Sequence, residues 1–126
     1  MLLPERSFMP DPVMISASGL SLHVSVSENA VVVQCRGPLT AECSDFLKRE
    51  VKSRIRGKGR MVLDLSDVTR MDSAGLGAIV GLYASARGRS CDFDLINLNK
   101  QIRDLLAISN LLSIFETGGR QGIRIP

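Results

Sequence analysis

A chain of 126 residues is the size of one domain with a single core, so one site or one surface is to be sought. With 44% hydrophobic, 23% charged and 4% aromatic residues and no tryptophan, it has the composition of a soluble globular protein and little surface for stacking on bases or sugars. The net charge of +3 is too small to define a nucleic-acid binder, and three cysteines without metal-ligand spacing suit buried thiols in a reducing compartment, with redox switching a minor role.

Residues 1–18 contain Pro4, Pro10 and Pro12 and no sustained periodicity. They read as an arm that is flexible unless a partner or a second copy orders it. The stretch MLLPERSFMPDP has no signal-peptide core and no apolar run reaches spanning length, so a cytoplasmic location is expected. The folded domain is expected over 19–117, with a tail at 118–126. In LSLHVSV, Leu20, Leu22, Val24 and Val26 alternate with Ser21, His23 and Ser25, the period of a strand whose wet face carries His23. A SENA turn leads to VVVQCRG, so the two strands form a hairpin that Gly37 and Pro38 end.

Thr40 is placed to cap a helix running to about Ile55, with Leu47, Val51 and Ile55 on its inner face and Phe46 beside them. Seven of the thirteen residues from Lys48 to Arg60 are Lys or Arg. That cluster could favour an acidic partner or a phosphate, but without accompanying aromatic or glycine patterns it reads first as a solvated face and loop. MVLDLSDV is too short for a typical helix and reads as a central strand ending near Leu65.

The next helix begins near Ser73 and carries Leu76, Ile79, Val80 and Tyr83 as an apolar stripe, while Gly77 and Gly81 predict close approach of a neighbouring backbone. CDFDLINL alternates again, with Cys91, Phe93 and Leu95 on one face, and Asn99 caps a helix bearing Ile102, Leu105 and Leu106. The glycine-rich end ETGGRQGIRIP argues against a further helix, although its last residues suit an extended edge. The whole predicts an α/β domain: a mixed sheet of four to five strands with helices mainly on one side.

The stretch RMDSAGLGAIV concentrates the chemistry. A serine at a helix N-terminus faces unpaired N–H groups, so a phosphate of about −1.5 to −2 charges on Ser73 would be partly held there, opposed by Asp72. A partner packed over Ser73 and the bare backbone of Gly75 would then meet a dianion. The alternative is a simple cap by Ser73 or Asp72, with Gly75 allowing a close turn. A hydrolase triad is not expected, because His23 lies on a distant strand and no Gly-x-Ser-x-Gly elbow is present. A magnesium site on Asp64, Asp67 and Asp72 is a lesser reading than capping, and the glycines lack the Gly-Lys-Ser/Thr ending of a Walker loop.

From about Ser21 to Thr117 the sequence resembles the STAS family, the bacterial anti-sigma factor antagonists and the related domains of sulfate transporters. MVLDLSDVTRMDSAGLGAIVGL is similar to the family's strand, Asp-Ser turn and glycine-bearing helix, and DFDLINLNKQIRDLLAISNLLSIF to its following strand, helix and closing segment. The resemblance implies a STAS-like fold and a non-enzymatic regulator without cofactor or metal. It would bind an anti-sigma factor with serine kinase activity, free a sigma factor and be switched off by phosphorylation at Ser73, with a phosphatase restoring it. The implied partner surface is Thr40, Asp72, Ala74, Gly75 and Gly77. No direct contact with nucleic acid or membrane is implied, and a homodimer is compatible. The chain departs from the pattern at Thr40, where many members carry an acid. The alternatives are a STAS scaffold subunit that is never phosphorylated and a module binding a nucleotide or lipid at the same helix N-terminus.

Overall fold

The computed structural model describes residues 13–108 and 123–124. The chain runs β1 (Val13–Ala17), β2 (Leu20–Val26), β3 (Ala30–Leu39), α1 (Ala41–Lys52), β4 (Arg60–Met71), α2 (Ser73–Gly88), β5 (Asp92–Ile96), α3 (Lys100–Ile108) and β6 (Ile123–Arg124). The strands lie side by side in sequence order, antiparallel from β1 to β3 and parallel from β3 to β6. This is the expected mixed α/β sheet, with β6 the extended edge.

The sheet has six strands rather than four to five, because β1 falls inside the segment expected as a flexible arm. Ser18 and Gly19 take φ of 55° and 87°, the left-handed pair that closes a two-residue hairpin, and β1 thereby pairs with β2 along its length. The remainder of the arm and residues 109–122 and 125–126 lie outside the described residues, and with them most of the glycine-rich end where no further helix is expected.

β3 does not end at Gly37. Gly37 takes φ 111° at an irregularity in the β3–β4 register, and a Cβ there would stand 2.4 Å from the Gly19 carbonyl oxygen. The strand bends and continues, pairing Pro38 with Arg70 and Leu39 with Met71. β4 likewise runs past Leu65 to Met71. These two extensions carry the starts of α1 and α2 to the same end of the sheet.

One apolar core lies beneath the helices. Leu22, Val33, Leu63 and Leu95 from the sheet meet Leu47 and Val51 of α1, Leu76, Ile79 and Leu82 of α2, and Ile102 and Leu106 of α3. Each such side chain contributes about 1.5–3 kcal/mol by leaving water. On β2, half-buried Ser21 and His23 alternate with the core residues and take the other face. α1 stops at Lys52, short of Ile55, but Ile55 is still buried in a following turn closed by Arg54 and Ile55 N–H bonds to Val51 and Lys52.

The glycine pair of α2 corrects the sequence reading. Its buried positions include Gly75, Ala78, Ile79, Leu82 and Ala86, which turns Gly77 and Gly81 to the opposite, exposed side. Nothing lies within 4 Å of a Cβ built at either residue. Helical glycine without a packing role is about 1 kcal/mol worse than alanine. Gly77→Ala and Gly81→Ala are each expected to raise the urea-unfolding free energy by about that amount; a drop in either would reveal a packing constraint on that face.

Candidate functional site

The site is built where β4 hands over to α2. Met71 is buried, and Asp72 takes an extended conformation at the N-cap of α2 (φ −114°, ψ −174°). Its Oδ1 accepts the Gly75 N–H at 3.0 Å, its carbonyl accepts the Leu76 N–H at 3.0 Å, and its own N–H donates to the Leu39 carbonyl at 3.2 Å. Its second carboxylate oxygen, Oδ2, accepts the Ala41 N–H at 3.1 Å. One carboxylate therefore caps two helices, one beginning at Ala41 and the other at Ser73.

The capping expected of Thr40 thus falls to Asp72. Thr40 occupies the N-cap position of α1 by backbone, but its hydroxyl makes no capping bond and instead lies 3.8 Å from the Cys43 Sγ. Asn99 does cap as expected, its Oδ1 accepting the Ile102 N–H at 2.8 Å.

Amide hydrogens, Gly75's foremost and then those of Ala41, Ala74 and Asp72 itself, hold the Asp72 carboxyl below its ordinary 3.8. A carboxyl depressed on folding adds stability that is present above its unfolded value and lost as pH falls through the folded one. Comparing wild type with Asp72→Asn, the gap in melting temperature is therefore expected to be full near about pH 6 and to close as pH falls through the depressed folded value. A gap unchanged down to about pH 2 would show that the charge contributes nothing.

Ser73 is the first residue of α2 and is exposed; Ala74 is half-buried and Gly77 exposed one turn on. With Thr40 and Asp72 they share one end of the helix pair. Gly75 does not belong to that surface. It is buried, and a Cβ on it would lie 2.0 Å from the Leu39 carbonyl oxygen. The expected phosphate cradle is also altered, because the Gly75 amide is already taken by Asp72.

Thr40, Ala41, Glu42, Arg70, Met71 and Asp72 line an open cleft of about 390 Å³ beside this point. Glu42 and Arg70 were not singled out from sequence. Arg70 stands two residues before Asp72 in the motif, but only the Leu39–Met71 register brings Glu42 to it. Among the described residues Arg70 forms no ion pair.

The other acids serve elsewhere. Asp64 Oδ1 accepts from the Ser66 N–H at 3.0 Å and the Asn97 Nδ2 at 3.1 Å, and Asp67 pairs with Arg36 at 3.2 Å and accepts from Gln34 at 3.2 Å. Neither joins Asp72, and among the described residues no three His, Cys, Asp or Glu gather in a way that would hold a metal ion. The three cysteines are free and buried, and burial pushes the Cys35 thiol up to about 12, far from a reactive thiolate. No helix among the described residues is long and apolar enough to cross a membrane.

Residues 21–121 match the family model described as the STAS domain. A STAS-domain containing protein of Pseudomonas aeruginosa is 37% identical over 57 residues, a match covering 45% of this chain and 56% of that protein. The anti-sigma F factor antagonist of Paenibacillus polymyxa is 26% identical over 97 residues, 75% of this chain and 83% of the relative. In structure, the anti-sigma factor antagonist SpoIIAA in its unphosphorylated form superposes with a TM-score of 0.66 at 16% identity, over 83% of this chain and 87% of that one, which establishes the likeness of fold. SpoIIAA of Bacillus has also been solved in a phosphorylated form, which superposes with a TM-score of 0.63 at 16% identity over 83% of this chain and 90% of that one.

Proposed function

The chain belongs to the STAS domain family, and on that footing we propose that it is an anti-sigma factor antagonist, a non-enzymatic cytoplasmic regulator switched by phosphorylation of Ser73. In this reading it binds an anti-sigma factor that is also a serine kinase, and a sigma factor is released. Phosphorylation ends binding, and a phosphatase restores it.

The observation that carries the reading is the setting of Ser73: an exposed hydroxyl on the first residue of a helix whose start is pinned by its neighbour. Asp72 already holds the nearest amides, so a phosphate on Ser73 is turned outward beside a carboxylate that stays ionised. The added charge, about −1.5 to −2, falls on the partner, while the caps that hold the fold are untouched. Thr40 leaves this cleft with the acids Glu42 and Asp72 against the single base Arg70, one carboxylate fewer than an acid at position 40 would give.

The test is incubation with the cognate kinase, ATP and magnesium, followed by mass spectrometry. A phosphate on Ser73 is expected. An unmodified Ser73 under conditions that fully modify a control substrate would overturn the switch and leave a STAS scaffold.

A further inference from the structure

α1 and α2 lie against each other, and between them runs an open groove of about 570 Å³, lined by Asp45, Lys48, Arg49 and Lys52 of α1 and Gly81, Leu82 and Ser85 of α2. Three cations thus fall within little more than one turn of α1, and few anions offset them. Lys48 is 3.9 Å from Asp45, whose side chain is 90% exposed, and Arg49 is 3.8 Å from Glu50, which Arg54 already holds at 3.0 Å. Lys52 has no ion pair among the described residues.

Cations near a helix C-terminus are ordinary, but Gly81 opposite them is not. It packs against nothing and leaves this stretch of the groove bare, so a chain approaching from outside can lie close to the α2 backbone. We propose that this groove binds an acidic segment of a partner protein, whose carboxylates meet Lys48, Arg49 and Lys52 and whose chain lies over Gly81.

The chemistry selects this occupant over other polyanions. The lining carries no aromatic side chain for a base. Its three cations span roughly 6 Å of helix, too short a track for a nucleic-acid backbone. A lipid surface is disfavoured as well, because the exposed large apolar residues, Val13, Met14, Val32 and Ile108, belong to β1, β3 and α3 and leave the groove without an anchor. The volume exceeds that of a lone phosphate and suits several side chains. The groove begins eight residues, roughly 12 Å, from Ser73 on the same exposed side of α2, yet the proposal needs no phosphorylation and stands apart from the switch.

The test is titration of the full chain with octaglutamate, followed by amide chemical shifts. Saturable changes confined to residues 45–52 and 81–85 are expected. Affinity should fall at least about tenfold in Lys48→Glu/Lys52→Glu and also in Gly81→Leu, which keeps every charge and fills the groove, and should stay within about twofold in Lys58→Glu, outside it. Undiminished binding by Gly81→Leu would reduce the effect to diffuse attraction and overturn the proposal. Displacement of octaglutamate by an equal charge of single-stranded DNA or phosphatidylglycerol vesicles would overturn it too, assigning the groove to nucleic acid or membrane. Gly81→Leu replaces an exposed helical glycine with a better helix former, so a folding defect does not confuse the result.

Discussion

Gly75→Ala is expected to destabilise the domain by roughly 3 kcal/mol or more, a large part of the stability of a chain this size. The added methyl carbon would lie 2.0 Å from the Leu39 carbonyl oxygen and 2.7 Å from its carbonyl carbon. Both atoms are backbone, so no rotamer change relieves the contact. Either β3 retreats from Met71 or the first turn of α2 lifts, and each breaks a bond that Asp72 makes, to Leu39 or to Gly75. Urea unfolding with far-UV circular dichroism measures the loss. A variant within about 0.5 kcal/mol of wild type would mean that the two elements are not held together as described. Loss of partner binding in a Gly75 variant is for the same reason evidence about folding before it is evidence about docking.

Ser73→Asp is expected to weaken binding to the cognate anti-sigma factor by about 100-fold, or about 3 kcal/mol, while Ser73→Ala binds like wild type and cannot be switched off. The carboxylate of Ser73→Asp joins that of Asp72, which is held ionised by its amides, so two negative charges stand where a docking surface must lose water. Calorimetry with the purified partner reads the affinities. Equal affinities for both variants and wild type would sink the mechanism by which the charge blocks the surface. Because Asp72, and not Ser73, supplies the side-chain caps, both variants should melt close to wild type, separating this effect from that of Gly75.

Much of this arrangement was readable from residue order. Alternation in LSLHVSV and CDFDLINL marked β2 and β5, the motif around Ser73 marked the start of α2, and Asn99 marked that of α3. What escaped depended on contacts between segments distant in sequence. Thr40 has the residue type of a cap, but Asp72 reaches the Ala41 amide first, across a strand register that periodicity does not specify. Gly75 and Gly77 look alike in a pattern of small residues, and only the position of Leu39 makes one a buried contact and the other surface. Buried Asp94, which pairs with Arg60 across β4 and β5, occupied what the alternation of its strand marks as a wet position.

The doubly used carboxylate of Asp72 also limits how the chain can vary in length. An insertion between Leu39 and Ala41, or between Asp72 and Gly75, would withdraw an amide from the shared oxygen pair and loosen the starts of both helices at once. The linker from α1 to β4, residues 53–59, lies at the opposite ends of those helices; buried Ile55 and the Lys58 N–H bond to the Ser90 carbonyl anchor it, but no one side chain there holds both helices. Among descendants of this sequence the spacing at the serine end should therefore stay fixed.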